Sequence, residues 1–436
     1  MKKILIALIL LYSMQLGAQI KEVTEAVKLF ERAKNDSQNP KKAENPQTWL
    51  KLSAAYTNVY EAPIKSLWLG ASRVDTKILL KDHRIESTED VKINDQLFTV
   101  DNYSDKKLYY GQNGELVSWV ITNKYVEADL LDEAYKAIET AIQKDSKKAK
   151  IKEITEQLSS LKNRYFNEAM CTYALGNFKE SSIDFEKAAN LSEHNYVNAI
   201  DTALIYYAGL TAYMSKDHDR AIGFFKRAID LDYDSKGDAY SYLGECYKVK
   251  SDVESAKEVL NTGFRKYPSN QSILVSLINS YIESNDDPNK ILELIRQAQI
   301  NEPMNATLYY AEGNVYKNID EFEKAIKCYE KSVEIDSKYY YGYFAIGAAY
   351  YDRAVDIQVK ATEEMDDAKY EALVVELEKN LEMAIEPFEK CFSTTSEEEI
   401  KKVVAEYLKN IYFRFREKGD EYLAGYEKYK EIATKE

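Results

Sequence analysis

Histidine is nearly missing from this chain. His83, His194 and His218 are the only three in 436 residues, and no two stand at the spacing of metal ligands. No Gly-rich phosphate loop and no Gly-x-Ser-x-Gly elbow occurs. The sequence therefore offers no catalytic set, no metal site and no cofactor site. Seven prolines and 15 glycines are too few for a linker-rich or low-complexity chain. Beyond the N-terminus no stretch is apolar enough to span a bilayer. Positive charge is also short: 59 Lys and Arg face 73 Asp and Glu, a net charge of -14. That balance excludes non-specific attraction to nucleic acid or anionic lipid. Glu363, Glu364, Asp366 and Asp367 stand at a break between helical stretches and read as a solvated turn.

The N-terminus has what the rest lacks. Lys2 and Lys3 precede an apolar run at 4–11, and Leu16-Gly17-Ala18 puts small residues before Gln19. This is the pattern of a secretion signal over 1–18. No cysteine sits near the cleavage region, which argues against a lipid anchor. Its style resembles exported proteins of Gram-negative bacteria, which implies the periplasm, with the cell surface or the medium as alternatives. Loss of Lys2 and Lys3 takes the net charge from -14 to about -16.

A beat of about 34 residues runs through more than half of the chain. Each unit opens on one stripe: Ile205, Ala208, Gly209, Ala212; Tyr240, Leu243, Gly244, Tyr247; Tyr309, Gly313, Tyr316; Tyr343, Ile346, Gly347, Tyr350. A second stripe follows: Ala221, Phe225, Ala228; Ala256, Leu260, Gly263; Ile291, Ile295, Ala298; Ala325, Tyr329, Ser332. The i, i+3, i+4, i+7 spacing puts each set on one helical face. Glycine inside a helix costs roughly 1 kcal/mol against alanine, so its return in four units requires close approach of two helices. Pro268 and Pro303 close two units, and the unit at 271–303 is degenerate, with Ile278 where glycine is expected.

On these residues the chain resembles the tetratricopeptide repeat family, best at 237–268 and 306–337. The resemblance covers 202–351 directly and extends less clearly over 128–436. It implies an all-α, right-handed helical-repeat solenoid that works as a non-catalytic scaffold or adaptor for protein segments. In that family the free face of each first helix lines a concave groove. Carried over, that face holds Phe166, Met170 and Tyr173, then Tyr206 and Tyr213, then Tyr310, Asn314 and Lys317, then Tyr341, Phe344 and Tyr351. Two roles fit these rings: contact with a partner polypeptide, since tyrosine joins area to a hydrogen-bonding tip, or packing against the next repeat. Asn314 and Lys317 match in kind the family's clamp for a terminal carboxylate, but Tyr310 stands where a lysine is expected, which argues against a clamp. The expected role is an envelope scaffold in assembly, secretion or maintenance. A glycan-binding surface protein of nutrient uptake is the alternative.

Around the array, 19–60 reads as helices opening the solenoid and 61–127 as an insertion. Within it, 106–110 and 115–126 form a β-hairpin through the Gly111–Gly114 turn, and 97–100 offers a third strand. That insertion reads equally as a cap on the first groove or as a second partner-binding edge. The array proper runs over 128–351. At 352–383 both helices of one unit lengthen into an extended hairpin, and 384–436 closes the chain. Cys171, Cys246, Cys328 and Cys391 fall in helices of different repeats. Helix axes packed roughly 8–10 Å apart keep them beyond disulfide reach, as small packing residues.

Overall fold

A computed structural model describes residues 21–64, 67–81, 83–233, 236–284 and 287–434. The secretion signal read over 1–18 lies outside the described residues. Helices make up 72% of the described residues, and the chain divides into two compact units after Tyr233. Among the described residues no helix is long and apolar enough to cross a membrane.

The first unit begins with α1 (Lys21–Gln38), which buries Val23, Ala26 and Phe30. The Phe30 ring lies 4.9 Å from that of Tyr56 on α3 (Pro46–Glu61). A short α2 (Pro40–Ala43) joins them, and both α2 and α3 start by one rule. An asparagine side chain, Asn39 or Asn45, accepts from the first free backbone N–H groups, and proline follows where no N–H is needed. The helix that packs along α3 is α5 (Leu130–Lys144), through Ala134, Ile138 and Ala141.

Between α3 and α5 stand α4 (Arg73–Leu79) and an antiparallel meander, β1 (Ser87–Ile93), β2 (Gln96–Asn102), β3 (Lys106–Tyr110) and β4 (Leu116–Ile121). The hairpin expected from the sequence is β3–β4, with Leu108 opposite Trp119. β2 includes the stretch at 97–100, and β1 is a fourth strand. Arg73 forks onto Asp101, Nη2 to Oδ1 at 2.6 Å and Nε to Oδ2 at 2.9 Å, which pins α4 to β2. Ser118 Oγ donates to the Cys171 carbonyl at 3.1 Å, tying β4 to α6 (Ile151–Ala174). The unit closes with α7 (Phe178–Glu193), α8 (Thr202–Met214) and α9 (His218–Asp230).

The second unit is helical throughout its described residues. Its hairpins are α10 (Asp238–Val249) with α11 (Val253–Lys266), α12 (Gln271–Glu283) with α13 (Pro288–Asn301), and α14 (Ala306–Asn318) with α15 (Phe322–Ile335). Two long helices follow, α16 (Tyr340–Glu363) and α17 (Asp367–Thr394), then α18 (Glu398–Phe415) and α19 (Asp420–Ala433). The recurring glycines sit where helices touch. A Cβ on Gly244 would meet the Leu260 side chain at 2.7 Å, and one on Gly347 the Phe388 ring at 2.8 Å. All four cysteines are free.

Candidate partner-binding sites

The rings read from the sequence fall into three settings. In the first unit Phe166 and Tyr173 keep 37% and 38% of their surface exposed, and Met170 is half-buried between them. Phe166 stands edge-on to Phe185 at 6.1 Å, and Tyr173 leans on Phe178 at 5.7 Å. One repeat later, on α8, the setting changes. Tyr206 is buried, its ring against Phe225 and Tyr233, and Tyr213 is half-buried against His218. The exposed ring of α8 is Tyr207, stacked on Phe185 at 5.6 Å. The sequence reading missed it, because α8 is apolar around its whole circumference and periodicity cannot fix its phase.

In the second unit the rings spend their faces on one another. Tyr310 packs against Tyr329, Tyr339 and Tyr341 at 5.9, 5.8 and 6.1 Å. Asn314 Oδ1 accepts from the Tyr329 hydroxyl at 2.8 Å, and Lys317 pairs with Asp352 at 2.8 Å. Phe344 stands edge-on to Phe388 and Tyr407, and Tyr351 meets Tyr407 at 4.9 Å.

Two cavities of the first unit adjoin α6. One, of about 610 Å³, opens where the sheet meets the C-terminal end of α6. Leu69, Leu97, Phe98 and Val117 from the insertion face Met170 and Tyr173 from the helix. Leu97 is 48% exposed. Insertion and helix face, read separately from the sequence, thus share one apolar cleft.

The other cavity, of about 600 Å³, lies among α3, the β4–α5 connection, α6 and α7. Tyr60, Tyr125, Tyr165, Asp129, Glu168 and Asp184 are on its wall. Lys187 reaches Asp132 at 2.6 Å, and the Tyr165 hydroxyl donates to the same oxygen at 2.5 Å. Burial works against that carboxylate, but the bonds from Lys187 and Tyr165 prevail and hold it below the usual range. Asp184 lacks such help: burial first, and the Glu168 charge second, push it up to about 7.

A model of the tetratricopeptide repeat matches 306–339, the α14–α15 pair with its following turn. The chain carries a tetratricopeptide repeat. No curated protein matches it in sequence. Among solved structures, an IFIT1 monomeric mutant with Gppp-AAAA is 14% identical, covering 70% of this chain and 64% of its own, with a TM-score of 0.36. The chain thus spans less than two thirds of that protein's length. MamA is 23% identical over 43% of this chain and 92% of its own, at a TM-score of 0.29. A TPR repeats protein from Bacteroides fragilis is 18% identical over 56% and 97%, at 0.25.

Proposed function

We propose that this chain is an exported, non-catalytic repeat scaffold that holds a protein partner in the apolar cleft between the sheet and α6. One observation carries the reading. Leu97 on β2 and Tyr173 on α6 come from distant parts of the sequence, line the same cleft, and both stay more than a third exposed. Half-exposed apolar side chains converging on a concavity are what an interface leaves open before its partner arrives. Tyr173 would supply the ring and hydroxyl typical of an energetic anchor. The scarcity of histidine and the missing nucleophile motifs support the non-catalytic part. The Lys2-Lys3 start with its apolar run supports export, and the net charge of -14 favours a neutral or basic partner.

The test is site-directed photo-crosslinking in the native host, with a photoreactive residue at Leu97 and, as comparison, at Tyr310. Adducts to one polypeptide at position 97 support the cleft, and Tyr173→Ala should weaken them about 30-fold, the ~2 kcal/mol of one anchor. Adducts confined to position 310 would move the site to the second unit. N-terminal sequencing of the mature protein tests export; an intact Met1 in a cytoplasmic fraction defeats it.

A further inference from the structure

The cavity between α3 and α7 is short of positive charge. Asp129, Asp132, Glu168 and Asp184 stand on or just behind its wall, against the ammonium groups of Lys124 and Lys187. Asp129 already caps α5, accepting from the Asp132 N–H at 3.2 Å. Asp132 is satisfied by Lys187 and Tyr165. Among the described residues the Glu168 carboxylate accepts only from a neutral donor. The Tyr60 hydroxyl bonds to it, and the indole N–H of Trp119, a residue 5% exposed, leans toward it without reaching hydrogen-bond geometry. Burial raises the Glu168 pKa against the pull of the Tyr60 bond, and among the described residues no cation pairs with it. Asp184, on the facing helix, makes no ion pair among the described residues, and the Lys187 charge only partly offsets its burial.

The same wall shows what such a cation meets. Lys187 Nζ sits 2.6 Å from Asp132 and 5.1 Å from the centre of the Tyr165 ring. An ammonium held between a carboxylate and a phenol face is stabilised by both. Glu168 and Asp184 offer carboxylates, Tyr60 and Tyr125 offer phenols, and the volume of about 600 Å³ admits an alkyl chain.

We propose that this cavity binds an alkyl ammonium group, seated between Glu168 and Asp184 against the phenols of Tyr60 and Tyr125. The group belongs to a free alkyl diamine or to a lysine side chain of a bound polypeptide. The site is separate from the apolar cleft, and neither depends on the other.

Calorimetric titration of the full chain with 1,5-diaminopentane and with Nα-acetyl-lysine amide tests this. Binding of the diamine alone assigns a free amine; binding of the lysine amide assigns a side chain. Pentanol, which lacks the charge, should not bind. Glu168→Gln, which keeps an acceptor for Tyr60, and Asp184→Asn should each weaken binding more than tenfold. Wild-type titrations near pH 6.5 in two buffers of different ionisation enthalpy add a readout free of mutation. The cation should drive a proton off the carboxylate pair, so binding releases protons. Failure of both probes to bind below about 10 mM, binding without proton release, or binding unchanged in both folded variants overturns the proposal.

Discussion

Gly313 on α14 lies flat against the ring of Tyr329 on α15, so closely that a Cβ on the glycine would collide with the ring. Tyr329 is fully buried, and its hydroxyl is held by Asn314. The contact recurs as Gly209 on Phe225, Gly244 on Leu260 and Gly347 on Phe388. One close approach, repeated, sets how near the two helices of these four hairpins come.

Gly313→Ala should therefore destabilise the second unit although alanine is the better helix former. Propensity returns roughly 1 kcal/mol, while overpacking against a fixed ring costs about 1–3 kcal/mol. Urea unfolding checks the sign: a lowered midpoint is expected, and a raised one would mean that the Tyr329 ring moves aside.

The double substitution of Tyr310 and Phe344 by alanine separates packing from binding. Each ring touches several others on neighbouring helices. Removing such rings costs about 3–5 kcal/mol apiece when fully buried, and less for these half-buried ones. A melting temperature lowered by several degrees in calorimetry is the expected result. An unchanged melt would free both rings for a partner.

Asp184 should make the first unit lose stability as pH rises. Its folded pKa of about 7 stands above the ordinary 3.8. Between these values the folded state keeps a proton that the unfolded chain has released, so stability falls as pH climbs through the window. Below pH 4 the penalty is absent, and above 7 it is complete. Asp184→Asn should match the wild type at pH 4 and unfold at higher denaturant at pH 8.

Lys106 on β3 is wholly buried, its ammonium 2.9 Å from Asp105 and 3.0 Å from His83 Nδ1. Burial lowers its pKa against the pull of Asp105. Lys106→Met leaves Asp105 charged and enclosed, at a cost of about 3–5 kcal/mol. The double variant with Asp105→Leu should regain much of that in equilibrium unfolding.

Much of the helical architecture was legible because close packing writes itself into residue type. Gly244 with Leu260, or Gly347 with Phe388, are glycine and bulk in fixed order. β1 was not legible: its residues are mostly exposed, and Glu89, Asp90 and Lys92 are charged, so no apolar alternation marks it. The cleft was half legible. Met170 and Tyr173 followed from the phase of α6, but Leu97 and Val117 reach them only through the meander's tertiary placement. Nor could the cavity at Asp184 be read, since its carboxylates come from separate helices at no fixed spacing.

The insertion of α4 and the sheet between α3 and α5 also dictates an order of events. Helices α10 and α11 meet across a turn of a few residues and can close as soon as both exist. The α3–α5 pair closes only across 62–129, a long loop whose ends must be brought together first. During synthesis the meander is complete at Ile121 before α5 has been made. Pulse-labelled hydrogen exchange during refolding should find the amides of β3 and β4 protected while those of α3 still exchange. Helix α3 therefore waits, exposed, for a partner that the ribosome supplies only after the sheet.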